Sequence, residues 1–237
     1  MTLLGRDASR RRHQGKMQDL GFELMPLLEI AKEILPPDVA NTLREAVEKA
    51  ANSRRGSPTS SYWYSLESKP RNILEEVIPI LRAVVPFTVS EECIGVDWWL
   101  GMLHPPYAEN FPYGLHRDGG RNPVSGNIEG PSLSTVLYLT EVDDGALAVY
   151  SGEPDSIVGD IRYAFPRANS FAMFSGELLH NVVSRKSIIG IDSSTPSSGV
   201  RLSVQYNWWK FRPGRGNLGE TAADYSAEIY PELLSGV

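Results

Sequence analysis

The chain of 237 residues holds a single cysteine, Cys93, and only four histidines, His13, His104, His116 and His180. A lone cysteine cannot close an intramolecular disulfide, which excludes a disulfide-framework domain and a four-cysteine zinc module. No apolar run approaches the ~20 residues of a membrane helix, so no membrane partner is expected. The opening segment carries Arg6, Arg10, Arg11, Arg12 and Lys16 with no apolar stretch behind them. A secretory signal is therefore not expected, and together with the single cysteine this predicts a cytoplasmic protein. A basic excess is lacking too. Lys plus Arg number 23 against 29 for Asp plus Glu, a formal net charge of −6, and no basic stripe follows the opening tail. Nucleic acid is not an expected partner.

What is there has the balance of a globular chain, with 41% hydrophobic and 22% charged residues. A chain this long buries about 70–75% of its unfolded surface, so its core needs no staples. We expect one domain made of a basic tail over 1–20, a helical buttress over 21–86, a β core over 87–211 and a C-terminal tail over 212–237. In the buttress, Val39, Leu43, Ala46, Val47 and Ala50 fall on one face of a helix with Asp38 as N-cap and Gly56 past its end. A shorter helix is expected over Glu23–Leu35, stopped by Pro36 and Pro37, and another over Arg71–Val85 with a kink at Pro79. Segment 56–69 reads as loop. After Pro86 the pattern turns to short β-branched or alternating runs between Gly, Pro, Asn and Asp. The expected strands are Ile94–Leu103, Leu133–Thr140, Ala146–Tyr150, Ile161–Ala164, Ser170–Phe174, Val182–Arg185 and Val200–Trp209. Many short strands behind a helical third suggest a closed or double-sheet β architecture with helices on one outer face.

Few residues can do chemistry here. In an extended segment, side chains two apart share a face, so His116 and Asp118 can reach one metal ion together. His-x-Asp alone is a common chance match. Its weight comes from the residues downstream, an apolar strand at Ser170–Phe174 and then His180, the last histidine. Two histidines and one carboxylate leave three adjacent positions open on Fe(II). Beyond His180, Arg201 and Ser203 share a face of the strand RLSVQYNWW. A buried guanidinium needs a partner, and a dicarboxylate would supply one through a bidentate fork. The charges of Fe(II), Asp118, a dianionic dicarboxylate and Arg201 then cancel, as a low-dielectric pocket requires.

In order and spacing, His116, Asp118, His180, Arg201 and Ser203 resemble the Fe(II)/2-oxoglutarate-dependent dioxygenases, in particular their prolyl 4-hydroxylase-like branch. Tyr107 and Tyr113 stand where that branch carries aromatics before the first histidine, and Thr135-Val136-Leu137-Tyr138-Leu139-Thr140 is similar to its T-x-x-Y-L-N strand. The resemblance covers about Ile94 to Trp209. It implies a mainly β fold with N-terminal helices, a double-stranded β-helix (jelly roll, cupin-like), the helices buttressing the larger sheet. It implies Fe(II) held by His116, Asp118 and His180, with 2-oxoglutarate and O2 as cosubstrates and ascorbate as an accessory reductant. Arg201, Tyr138, Ser203, Tyr107 and Thr135 would bind 2-oxoglutarate. Arg201 lies farther beyond His180 than the family's spacing, so Arg185 is a second candidate for the basic residue. The implied activity is hydroxylation of an unactivated C–H bond coupled to decarboxylation of 2-oxoglutarate to succinate. Arg117, Arg121 and Tyr113 are the candidates to touch the substrate. Small size and acidic charge favour a small molecule such as an amino acid or a derivative, with a peptidyl residue as the competing substrate. A noncatalytic cupin-like binding module or a metal-dependent isomerase is the alternative on the same barrel, and the oligomeric state is open. Trp98, Trp99, Trp208 and Trp209 are expected in the core. His104 is expected to face solvent, and Gly119–Pro131 is long enough for a lid.

Overall fold

The computed structural model describes residues 26–52, 61–109, 114–152, 159–189, 199–215 and 220–221. In chain order the elements are β1 (Glu29–Lys32), α1 (Pro37–Asn52), β2 (Tyr62–Ser65), α2 (Ile73–Glu76), α3 (Ile78–Arg82), α4 (Phe87–Glu92) and β3 (Gly95–Leu103). There follow β4 (Gly120–Arg121), β5 (Ile128–Glu129), β6 (Leu133–Tyr138), β7 (Ala146–Tyr150), β8 (Ile161–Ala164) and β9 (Ser170–Phe174). β10 (Leu179–Val183), α5 (Arg185–Ile189), β11 (Arg201–Trp209), β12 (Gly214–Arg215) and β13 (Glu220–Thr221) complete the order. The strands make a six-stranded sheet β1-β9-β6-β11-β3-β2, a three-stranded sheet β10-β7-β8 and a four-stranded sheet β13-β12-β4-β5.

The two larger functions of the sequence, packing and chemistry, are separated by the period of two along the central strand. Leu202, Val204, Tyr206 and Trp208 of β11 pack outward with Leu43 and Val47 of α1 and with Leu74, Ile78 and Leu81 of α2 and α3. Val136 and Tyr138 of β6 and Ala172 and Phe174 of β9 point the other way and pack with Leu147 and Val149 of the three-stranded sheet. Two antiparallel sheets thus face each other, with helices behind the larger one. This is the jelly roll with a helical buttress that the sequence predicts.

Several elements depart from the reading of the sequence. Within the expected helix Glu23–Leu35, of which residues 26–35 are described, Glu29–Lys32 instead forms edge strand β1, in register with Ser170–Met173 of β9. Backbone pairing on an open sheet edge outweighs local helix propensity here. The turn out of β1 is fixed by Asn169, whose carboxamide accepts from Leu35 N at 2.9 Å and donates to Leu35 O at 2.8 Å. Helix α1 buries Leu43, Val47 and Ala50 as expected. It begins at Pro37, however, a residue suited to a first helical position because it has no N–H to leave unpaired. Asp38 therefore lies in the first turn, where its carboxylate faces the positive end of the helix. The expected helix Arg71–Val85 is split in two by Pro79 at the start of α3, and α2 is capped by Asn72, whose Oδ1 accepts from Leu74 N and Glu75 N. The expected loop 56–69 contains β2, whose buried Tyr62, Trp63 and Tyr64 add a strand beside β3. Strand β10 begins three residues earlier than the expected Val182, which puts His180 inside it. The tail 1–20 and Gly56 lie outside the described residues, as does most of 212–237.

Candidate functional site

The two histidines are brought together by backbone, before any metal is considered. His116 N donates to His180 O at 3.1 Å and His180 N donates to His116 O at 2.9 Å, a single antiparallel bridge that extends the β10 edge. A reciprocal pair of this kind holds the two Cα atoms about 5.5 Å apart, and the ring centroids stand 4.3 Å apart. Asp118, two residues beyond His116, comes to the same place. Its Oδ1 is 3.9 Å from His116 Nε2 and its Oδ2 is 3.7 Å from His180 Nε2. One donor atom from each of the three lies within 4.8 Å of the others.

Each donor is aimed by a second contact. His116 Nδ1 is 3.1 Å from Gly114 O and His180 Nδ1 is 3.1 Å from Leu178 O. A carbonyl only accepts, so each Nδ1 is the donor, and in the neutral ring this leaves Nε2 to present a lone pair. Ser134 of β6 donates its hydroxyl to Asp118 Oδ2 at 2.7 Å, and Phe174 packs edge-on against the His180 ring. Burial pushes the His180 pKa below its ordinary value; the Asp118 carboxylate raises it, the His116 ring lowers it, and the bond to Leu178 raises it. The net direction keeps this imidazole neutral, the form that binds metal. Ligands about 2.0–2.2 Å from one ion lie at most ~4.4 Å apart, so the carboxylate-to-imidazole spacings suit a single ion.

The three donors open onto a cavity of about 220 Å³, lined also by Trp99, Arg117, Val136, Phe174, Arg201, Gln205 and Asn207. That is below the roughly 300–1,000 Å³ of sites for drug-sized ligands and suits a small acid. At its far end Arg201 is 2% exposed, with its guanidinium carbon 5.1 Å from the centre of the Tyr138 ring. Arg201 Nε is buried and has no hydrogen-bond partner. Burial raises the Tyr138 pKa against the opposing charge and hydrogen bond of Arg201. Its hydroxyl reaches Ala164 O only at 3.5 Å. A buried cation with an unpaired N–H, bonded to a buried phenol, is a receptor for an anion.

The other residues singled out from the sequence differ in where they lie. Arg117 and Thr135 line the cavity, but the Thr135 hydroxyl donates to Tyr206 O at 2.6 Å. Ser203 and Tyr107 are buried and are not part of the lining. Ser203 Oγ accepts from Gln205 Nε2 at 3.2 Å, and Tyr107 donates to Gly199 O at 3.1 Å. Burial raises the Tyr107 pKa, Asp144 adds to this, and the charge of Arg201 opposes it. Arg121 turns away from the cavity and donates to Gly126 O in the β4–β5 turn. Arg185 is exposed at the start of α5, with its backbone N–H on Asp144, so of the two candidates for the basic residue it is Arg201 that lines the cavity. His104 is exposed, as expected. Tyr113 lies outside the described residues. The stretch 119–131 is a β4–β5 hairpin paired to β12 through Gly214 and Arg121 rather than a free lid.

Trp99 is a correction: it lines the cavity, while Trp98, Trp208 and Trp209 are buried. The signal was the same period of two, because Trp99 pairs with Gln205 and Trp98 with Tyr206. Gln205, Asn207 and Ser134 were not found from the sequence. Gln205 and Asn207 could have been, since they share the Arg201 face of β11.

Fold and donor set together define a double-stranded β-helix bearing a cluster of two histidines and one carboxylate inside the barrel, with an arginine at the far end of the same cavity. Solved structures share this architecture. A prolyl-4-hydroxylase from Pseudomonas putida aligns over 81% of this chain and 95% of its own, at 18% identity and a TM-score of 0.53. The non-heme alpha ketoglutarate dependent epimerase SnoN from nogalamycin biosynthesis aligns over 86% of this chain and 85% of its own, at 12% identity and a TM-score of 0.56. At these identities the likeness is one of fold. No protein-family model matches the sequence, and no curated protein matches it.

Proposed function

We propose that the protein is an Fe(II)/2-oxoglutarate-dependent oxygenase that hydroxylates an unactivated C–H bond of a small molecule. The observation that carries this reading is the pairing, across one small cavity, of His116, Asp118 and His180 with a buried Arg201 whose Nε lacks a partner. Two imidazoles and a carboxylate on one side of a non-heme iron leave adjacent positions for a chelating oxo acid and oxygen. Iron and 2-oxoglutarate supply the oxidising chemistry when bound. The chain's own residues do the rest. His116 and His180 are oriented through their Nδ1 bonds, Ser134 fixes the Asp118 carboxylate, Arg201 and Tyr138 receive the distal carboxylate, and Val136, Leu147 and Phe174 keep that end dry. The architecture shared with the prolyl-4-hydroxylase and with SnoN supports the reading, as does the donor set.

The test is succinate release from 2-oxoglutarate by the Fe(II)-loaded protein, screened against single amino acids and their derivatives and, in parallel, against proline-containing peptides. Stimulation by a single metabolite, with a product gaining one oxygen atom, supports the reading. Stimulation by peptides alone reassigns the substrate class. No succinate above the level of an Asp118→Ala variant overturns it.

A further inference from the structure

Along the inner face of β11 the residues read Arg201, Ser203, Gln205 and Asn207, and the register sets each in a row across three strands. Ser203 lies between Tyr138 of β6 and Gly101 of β3, and Gln205 lies between Val136 and Trp99. The Gln205 carboxamide folds back over Gly101 toward Ser203. A Cβ at position 101 would stand 2.7 Å from Ser203 Oγ and 2.8 Å from Gln205 Nε2, so the glycine is what leaves this space open. Nε2 donates to Ser203 Oγ at 3.2 Å. Oε1 is buried without a hydrogen-bond partner, in the same cavity as Arg201 and its unpartnered Nε.

An orphaned acceptor costs free energy, and a dianionic oxo acid, having only acceptors, cannot relieve it. Rotating the carboxamide by half a turn can. Amide oxygen and nitrogen are close to isosteric and the terminal torsion is broadly two-fold. A serine hydroxyl both donates and accepts, so the contact to Ser203 survives with its direction reversed. Oε1 then accepts from Ser203, and Nε2 takes the place of the orphaned oxygen, bringing N–H donors to the cavity that Gln205 and Arg201 both line.

From this we infer that Gln205 is a further cosubstrate-binding residue, donating from Nε2 to the distal carboxylate of 2-oxoglutarate while Ser203 holds its oxygen. The inference rests on the oxygenase reading and adds a role for two residues, with Ser203 acting through Gln205 rather than on the ligand itself.

Dissociation constants for 2-oxoglutarate and for pyruvate, measured anaerobically on Fe(II)-loaded protein from the charge-transfer absorption, test it. Pyruvate keeps the chelating end and lacks the distal carboxylate. Gln205→Glu removes the donors and sets a negative charge beside the ligand. It should weaken 2-oxoglutarate binding about tenfold or more, the scale of one charge-assisted hydrogen bond, and leave pyruvate within about twofold. Gln205→Met, which keeps the bulk, and Ser203→Ala, which frees the carboxamide, should weaken 2-oxoglutarate by a smaller factor with pyruvate again unmoved. If 2-oxoglutarate affinity is unchanged in Gln205→Glu and Gln205→Met, the carboxamide only lines the wall or holds a water, and the inference falls. Equal weakening of both ligands also overturns it, since the effect would then lie at the metal or in the fold. A wild-type protein that shows no charge-transfer band with either oxo acid overturns the oxygenase reading itself.

Discussion

The two faces of β11 are one strand put to opposite uses. Outward, Leu202, Val204, Tyr206 and Trp208 are buried against the helices, and Tyr206 donates its hydroxyl to Leu74 O at 3.1 Å. Burial pushes the pKa of that phenol well above its ordinary value, and the nearby Glu75 pushes the same way. Inward, Arg201, Gln205 and Asn207 line the cavity, and two of their polar atoms, Arg201 Nε and Gln205 Oε1, are buried without partners. The outer face is filled with apolar surface that stabilises the fold. The inner face carries polar groups that destabilise it until a ligand arrives. The difference teaches where to look for function in this chain: the unpartnered Trp208 Nε1 of the outer face is enclosed by apolar packing, whereas the unmade bonds of the inner face sit beside a buried charge in a cavity.

That contrast can be broken experimentally. The largest effect on the fold should come from Trp208→Ala, which empties a fully buried site. We expect a loss of about 3–5 kcal/mol in urea denaturation, with 2-oxoglutarate affinity unchanged in whatever fraction stays folded. Arg201→Leu should do the opposite, weakening 2-oxoglutarate about a hundredfold while leaving the denaturation midpoint unchanged or higher, because a buried charge is replaced by an apolar side chain. A lower midpoint for Arg201→Leu would mean that the inner face also holds the fold together. Ser134→Ala, which removes the bond that aims Asp118, should lower Fe(II) affinity by about tenfold in a competition with a chromogenic chelator. The smallest effect is on pH. The folded His180 pKa lies below the unfolded value near 6.5, so below that value the unfolded metal-free chain binds more protons than the folded one. His180 thus contributes stability that is fully present above pH ~6.5 and is lost as pH falls from there through the folded pKa. Thermal melts of metal-free protein from pH 8 to pH 5 should show it, and an equal slope in His180→Asn would assign the loss elsewhere.

The sequence made much of this legible, for reasons that can be stated. Alternation at period two found β3, β6, β7, β8, β9 and β11 and placed Arg201 opposite the helix-facing residues, since strand period is set by backbone geometry alone. His116, Asp118 and His180 were legible because histidines are so few here. Strand β1 was hidden by a helix-like pattern, since its stability comes from pairing with β9, more than a hundred residues away. Strand β2 was hidden by glycine and serine around three aromatics. Ser134 and Gln205 were missed because their roles exist only through register. Ser134 matters since β6 passes beside Asp118, and Gln205 since Gly101 on the neighbouring strand leaves it room.

The central claim is that His116, Asp118 and His180 hold an iron to which 2-oxoglutarate chelates, with Arg201 at its far end. Anaerobic addition of 2-oxoglutarate to the Fe(II)-loaded protein tests it most directly. The account predicts a weak visible charge-transfer band that saturates with 2-oxoglutarate, is lost in Asp118→Ala and needs far more ligand in Arg201→Leu. Folded protein that binds Fe(II) yet develops no band at saturating 2-oxoglutarate would contradict it.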